Sequence, residues 1–336
     1  YHHHQDRWFV VGEPPYLDAL TGPASAARDL DLLEIADFRF ASEVSREDFV
    51  ERVTRAQEWI AAGDIYQVNL AHRFRAKREA GQNAFLIYEH LRNISPAPFS
   101  AYLDLGDQQI LSSSPECFLK MSGRGVTTRP IKGTRPRFSD SLLDEKSAYD
   151  LITSPKEVSE LVMITDLERN DLGRICAYGS VHVKELLALE RYAQVFHLVS
   201  TIHGELRPEI DHLEALHLCS PGGSITGAPK KRAMEIIDEL EGTPRGLYTG
   251  AIGYLGWNGE SQFNIAIRTL IAEHDHWHFH VGAGIVADSN PVAEYEETLH
   301  KAAGILKAID VYSSSVTSIR TKNRLSKNST KSSRSG

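Results

Sequence analysis

A chain of 336 residues, 41% hydrophobic and 24% charged, can bury a large core as one big domain or two ordinary ones. Its net charge of −8 is uneven: residues 313–336 hold six Lys/Arg and no acid, which leaves −14 on the rest. That acidic body argues against nucleic acid or an anionic membrane as the main partner, and an anionic substrate would need local cations or a metal to be held.

Three widely spaced cysteines, Cys117, Cys176 and Cys219, form no CxxC pair. They read as buried free thiols of a reducing cytoplasm rather than a disulfide or zinc framework. No apolar run approaches the length of a membrane span, and no charged-then-apolar leader opens the chain. The chain starts at Tyr1 followed by His2 to His4, so the natural N-terminus is expected to lie further upstream.

Of the first forty residues, 8–11 are compatible with a strand and 22–27 with a loop. Ser45 then opens an amphipathic helix. Asp48 stands at its third position, as in a capping box, and Phe49, Val53, Ala56 and Ile60 repeat at helical spacing before Gly63. Residues 66–74 read as a strand, and 100–131 as short alternating runs separated by Gly and Asp, the pattern of an antiparallel sheet. Helices are predicted to begin at Ser154-Pro155, at Pro229 and, for a long one, at Asn290-Pro291, each with proline at the first helical position. Strands return at 248–255, 263–270 and 276–281. Strands and helices mixed without a regular βαβ rhythm predict an α+β fold. The final segment, 313–336, is rich in Ser, Lys, Arg and Asn and reads as a disordered tail.

Glu157 and Glu160 share one face of the helix opened by Ser154. Glu294 and Glu297 share a face of the helix opened by Asn290, with Lys301 one turn further on. Two such faces brought together would suit Mg²⁺, a hard cation that takes a few carboxylates and keeps waters. Spacing alone leaves this open against ordinary exposed helix pairs. The glycine-rich loop 221–230, PGGSITGAPK, could cradle an anion or simply turn; it is not a nucleotide P-loop, because Ala228-Pro229 follows its last glycine. His274, His276, His278 and His280 alternate along one strand face. An exposed edge strand is the favoured reading there, with zinc binding as the alternative. Arg268 lies on the polar face of a strand opposite Phe263, Ile265 and Ile267, where it could clamp a carboxylate or make a surface ion pair. His197, flanked by apolar residues, reads as a buried, hydrogen-bonded histidine.

Taken in order, the stretches GDIYQVNLAHRF (63–74), SSPECFL (113–119), TRPIKGTRPR (128–137), KEVSELVMITDLERNDLGR (156–174), VFHLVSTIHGEL (195–206), PGGSITGAPKKRAMEII (221–237), YTGAIGYLG (248–256), FNIAIRTL (263–270) and VGAGIVADSNPVAEYEETLHKAAGIL (281–306) resemble the chorismate-utilising enzymes. That family holds anthranilate synthase component I, aminodeoxychorismate synthase component I, and the isochorismate and salicylate synthases. The resemblance runs from about residue 40 to 310. It implies two large packed, mainly antiparallel β-sheets with helices on the outside. It divides the chain into a remnant of a truncated N-terminal part (1–40), a chorismate-binding catalytic domain (41–312) and the basic tail (313–336).

The resemblance also implies a site. Glu160 and Glu297 would hold Mg²⁺, supported by Glu157 and Glu294. Gly133, Thr134 and Lys301 would hold the ring-carboxylate end of chorismate, and Tyr248, Arg268 and the amides around Gly282 and Gly284 the enolpyruvyl carboxylate. Water-adding members carry a lysine base where this chain has Gln67, which points to amination, because ammonia needs no base to become a nucleophile. Aminodeoxychorismate synthases carry lysine, and anthranilate synthases alanine, at the position of Lys132. The chain therefore resembles most an aminodeoxychorismate synthase component I of the 4-aminobenzoate and folate pathway. Lys132 would be the nucleophile and Glu116 the acid, on two neighbouring strands, with His197 near the departing hydroxyl. Ammonia would come free or from a separate glutaminase subunit, whose cysteine motif nothing here resembles. Anthranilate synthase component I and a catalytically silent chorismate-binding protein are the rival readings.

Overall fold

Local start and stop signals set most element boundaries. The computed structural model describes residues 38–192 and 194–332, with side chains as far as Ser314. The strand and loop expected at 8–11 and 22–27, with most of the expected N-terminal remnant, lie outside the described residues. In chain order the elements are β1 (Ala41–Ser42), α1 (Arg46–Ala62), β2 (Gln67–Lys77), α2 (Ala84–Ile94), β3 (Phe99–Asp104), β4 (Gln109–Ser114), β5 (Cys117–Ser122), β6 (Gly125–Arg129), β7 (Ile131–Pro136), α3 (Ser141–Ile152), α4 (Pro155–Gly173), β8 (His182–Arg191), β9 (Val195–Glu205), α5 (His212–Cys219), β10 (Gly227–Ala228), α6 (Lys230–Glu241), β11 (Ala251–Leu255), β12 (Glu260–Ile265), β13 (Thr269–Ala272), β14 (His276–Ile285) and α7 (Pro291–Ser332).

The predicted caps are present. The Ser45 hydroxyl accepts from the Asp48 amide, and Gly63 ends α1 with φ 83°, a left-handed conformation that costs glycine little. Ser154 caps α4 with Pro155 in its first turn, and Asn290 Oδ1 accepts from the Val292 and Ala293 amides ahead of α7.

The strands form two antiparallel sheets. One runs β1-β2-β14-β13-β4-β3, with β10 also on β2; the other runs β11-β12-β5-β6-β9-β7, with β8 also on β9. Period-two alternation on β2 sends Val68, Leu70 and Phe74 toward the helices and Gln67 and Asn69 to the opposite face. Helices α1, α2, α6 and α7 cover the first sheet through two apolar clusters, one around Trp277, Phe279 and Ile305, the other around Phe49, Leu70 and Ile236. Leu151 and Leu161, from α3 and α4, pack on Phe196 and Leu198 of β9 in the second sheet. Burying one apolar face of each sheet under helices is the usual way such layers become stable.

Four expectations need correction. Residues 263–270 are not one strand: β12 belongs to the second sheet and β13 to the first, and the chain crosses between them through Arg268, at φ 49°. Strand β11 starts at Ala251 rather than at Tyr248, because Thr249 sits at φ 65° in the turn before it. The histidine-rich strand β14 is not an edge; β2 and β13 flank it, and His278 and His280 are buried. Finally, α7 continues as helix to Ser332, into the segment expected to be disordered. Tyr312 is its last core-facing residue among those with described side chains, and no proline follows Pro291 and no glycine lies between Gly304 and Gly336 to stop the helix.

Candidate active site

The chain changes sheet twice in one place. Residues 114–117 carry it from β4 to β5, and 265–269 from β12 to β13. The two crossovers are bonded to each other: the Ile265 amide donates to the Glu116 carbonyl at 3.1 Å, the Ser113 amide to the Arg268 carbonyl at 3.1 Å, and the Ser114 hydroxyl to the Ile265 carbonyl at 2.6 Å. Glu116 and Arg268 thus arrive side by side. This differs from the expected neighbouring strands, since β5 pairs with β6 while Lys132 lies on β7, which pairs with β9.

Beside this seam lies a cavity of about 660 Å³, within the usual range for small-molecule sites. The first sheet contributes Asn69, Gly282 and Gly284, and the second Lys132, Gly133, Thr134 and His197; the helices add Glu157, Glu160, Glu297 and Lys301, and the turns add Glu116, Tyr248 and Arg268. Every residue expected in the site therefore lines one cavity, except Glu294. It is buried behind the wall, where its carboxylate accepts from the Ser289 hydroxyl at 2.7 Å.

The glycines of β14 make the space. A Cβ on Gly282 would stand 2.6 Å from Asn69 Oδ1 and 2.8 Å from Tyr248 Oη, and one on Gly284 would stand 2.6 Å from Gln67 Nε2 and 3.7 Å from Lys132 Nζ. Lys132 therefore reaches from the second sheet to the backbone of the first. Gln67 Oε1 and Asn69 Oδ1 are buried acceptors without a hydrogen-bond partner among the described residues, open to an N–H donor.

Cations already surround the glutamates. Lys156 Nζ lies 3.9 Å from Glu160 and 3.7 Å from Glu294, Lys301 Nζ 2.8 Å from Glu297, and Arg135 3.2 Å from Glu157. Burial raises the Glu160 pKa, with Lys132 and Lys156 pulling against it and Glu157 and Glu297 adding to it. Burial would also raise Glu297, but Lys301 outweighs it and the pKa falls. Burial works against the Lys156 ammonium, yet the four glutamates together raise its pKa. Among the described residues, no three of these carboxylates offer oxygens within 4.8 Å of one another. Lys156 and Lys301 stand among the glutamates, and an all-carboxylate donor set fits a hard divalent cation that keeps part of its water.

Glu116 is buried, and burial raises its pKa against the opposing Ser224 hydroxyl bond, Lys132, Arg268 and Lys301. It accepts from Ser224 at 2.7 Å. Behind Ser224 sits a second buried carboxyl, Glu168, which accepts from the Ser224 amide at 3.3 Å and the Thr128 hydroxyl at 3.4 Å. Burial, then Asp171 and Glu116, push Glu168 up to about 8. Asp171 is ion-paired to Lys230 at 2.6 Å. His197 is buried and hydrogen-bonded to Thr134 at 3.0 Å, as its apolar neighbours suggested, and burial followed by Arg268 lowers its pKa, keeping the imidazole neutral. Tyr248 stacks on His280 at 5.1 Å and lies under Arg245, itself ion-paired to Glu241 at 2.6 Å.

The glycine-rich loop 221–230 turns out to position Ser224 on Glu116. Sequence reading missed Ser224, Glu168, Arg245 and Lys156. Lys156 had a signal, since it stands one helical turn before Glu160; the others meet the site only through contacts distant in sequence.

The sequence matches the family described as chorismate binding enzyme over residues 25–307. It is 45% identical over 272 residues to aminodeoxychorismate synthase component 1 of Bacillus subtilis, covering 81% of this chain and 57% of that protein. It is 46% identical over 273 residues to anthranilate synthase component 1 of Thermus thermophilus, covering 81% and 59%. The chain thus spans less than two thirds of the length of these curated relatives. The crystal structure of anthranilate synthase component I from Streptococcus pneumoniae superposes with a TM-score of 0.76 at 37% identity, over 87% of this chain and 64% of that one. MenF, the menaquinone-specific isochorismate synthase of Escherichia coli, shares the fold with a TM-score of 0.71 at 22% identity, over 82% and 65%. With the two-sheet architecture, the cavity at the seam and these matches together, this chain belongs to the chorismate binding enzyme family.

Proposed function

We propose that this chain aminates chorismate at C4 to give 4-amino-4-deoxychorismate, as component I of an aminodeoxychorismate synthase, with residues 41–312 as its catalytic unit. The observation that carries this reading is Lys132, whose amine enters the cavity over Gly284 beside Glu116. Amination at C2, the anthranilate reaction, has no role for a nucleophile at that point.

In this reading the Lys132 amine bonds to C2, both ring double bonds shift by one position and the C4–O bond breaks. Glu116, whose buried carboxyl has a raised pKa, delivers a proton so that the hydroxyl leaves as water. Ammonia, free or passed from a separate glutaminase subunit, then bonds to C4. Both double bonds shift back and the C2–N bond breaks, returning the Lys132 amine, while the proton shed by the new C4 ammonium goes to the Glu116 carboxylate. His197 stands neutral near the departing oxygen. Arg268, Tyr248 and the Gly282–Gly284 backbone hold the enolpyruvyl carboxylate, while Gly133, Thr134 and Lys301 hold the ring end. Mg²⁺ on Glu160 and Glu297, with Glu157 and Glu294 behind them, would supply Lewis-acid polarisation of the ring carboxylate and leaving group. Gln67 provides no base to activate water, which favours amination over hydration.

The test is chorismate with an ammonium salt, with and without Mg²⁺, followed by product analysis. Mg²⁺-dependent aminodeoxychorismate is expected, and Lys132→Ala should abolish it while chorismate still binds. Undiminished turnover in Lys132→Ala would reject the covalent step, and isochorismate as product would reject amination. Anthranilate as the main product would establish the second reading, anthranilate synthase component I, which the relatives of that name favour equally by identity.

A further inference from the structure

At the far end of the row of histidines on β14, the chain turns tightly from β13. The Glu273 amide donates to the His276 carbonyl at 2.8 Å, and Ala272 pairs with Trp277. Alternation then puts His276 and His278 on one face, with rings stacked at 5.3 Å and 28°. We propose that Glu273, His276 and His278 form a binding site for a zinc-class divalent cation, separate from the glutamate cluster.

Three observations converge on it. Each of these residues offers a ligand atom, and among the described residues these atoms lie within 4.8 Å of one another. His278 is 7% exposed, and among the described residues its buried Nδ1 has no hydrogen-bond partner, a cost that a metal bound at Nδ1 would remove. His276 is oriented by two carboxylates: its Nδ1 bonds to Asp275 at 2.6 Å, and its Nε2 faces Glu273 Oε2 at 3.1 Å. A metal-bound histidine usually hands its other ring N–H to a carboxylate in this manner, which fixes ring orientation and raises basicity. Tetrahedral ligands at roughly 2.0–2.1 Å from zinc stand about 3.3 Å apart, close to the His276–Glu273 separation.

Gln108 donates to the other Glu273 oxygen at 3.4 Å and fixes the carboxylate. Arg73 and Arg75, opposite His280 and His278 on β2, both turn to Glu43, at 2.6 and 4.0 Å. Two imidazoles and one carboxylate select zinc and its neighbours, Co²⁺ and Ni²⁺, over Mg²⁺, which wants six oxygens. Three protein ligands leave a fourth position for water.

The test keeps other donors out of play. His2, His3 and His4 are replaced by alanine, Mg²⁺ is present in excess, and Zn²⁺ alone is titrated calorimetrically, with Co²⁺ absorption as a second reading. One equivalent should bind with a tetrahedral Co²⁺ spectrum. His276→Ala and Glu273→Gln should each weaken it strongly, and Asp275→Asn by about 10- to 100-fold through loss of the orienting partner. Glu273→Gln changes only a partly exposed turn residue, so it remains informative should His278→Ala fail to fold. The proposal is overturned by absence of a stoichiometric site, by affinity unchanged in Glu273→Gln and His276→Ala, or by Zn²⁺ binding that disappears instead with Glu160→Gln.

Discussion

Replacing Glu168 by glutamine tests the buried acid behind the cavity. The side chain is 3% exposed and holds its proton up to about pH 8, whereas an unperturbed carboxyl releases it near 4.5. Between those values the unfolded state binds fewer protons than the folded one. Stability therefore falls with rising pH across that window, by up to about 1.4 kcal/mol per unit. The contribution is whole below pH 4.5 and gone once the pH has passed about 8, a total on the order of 5 kcal/mol. Glutamine keeps the acceptor for the Ser224 amide, and Thr128 Oγ1 can accept from the new NH₂, yet it carries no titrating proton. Urea unfolding followed by tryptophan fluorescence gives the stability of both proteins. From about pH 5 to about pH 8.5 the difference should move by about 4 kcal/mol in favour of the variant. Parallel profiles, diverging by less than about 1 kcal/mol, would show that the folded protein ionises Glu168 without penalty and refute the argument.

Two substitutions probe the cavity itself. Arg268→Lys keeps the charge but loses the planar fork, so the KM for chorismate should rise about 10- to 100-fold with the thermal midpoint little changed; an unchanged KM would remove Arg268 from carboxylate binding. Gly282→Ala puts a methyl 2.6 Å from Asn69 Oδ1 and 2.9 Å from the Leu70 carbonyl. It should cost about 1–3 kcal/mol by chemical denaturation and also depress turnover, and a variant of unaltered stability would count against this packing.

Where the determinants were local, the sequence disclosed them. Ser45, Ser154 and Asn290 marked helix starts because their side chains answer the orphan amides of the first turn. The glutamates could be paired on helix faces by counting alone, though only the fold turns the side chains of α4 and α7 into one cavity. Arg268 was misplaced for a physical reason. Ile265, Ala266 and Ile267 are apolar on both sides of the crossover, so the run looks like one buried strand, and an arginine at φ 49° carries no turn signature. His278 and His280 looked solvent-facing because imidazoles are polar, whereas the strands on either side bury both and Tyr248 stacks on His280. Glu168 sits in a run of charges, DLERND, that reads as an exposed helix surface until Ser224 is folded onto it.

The double passage of the backbone at 114–117 and 265–269 has a thermodynamic corollary. A molecule lodged there touches both halves of the barrel-less sandwich, so letting it go and prising the halves apart draw on the same free energy. Occupancy should consequently protect slow-exchanging amides on β4 and β12 alike, although those strands belong to different sheets.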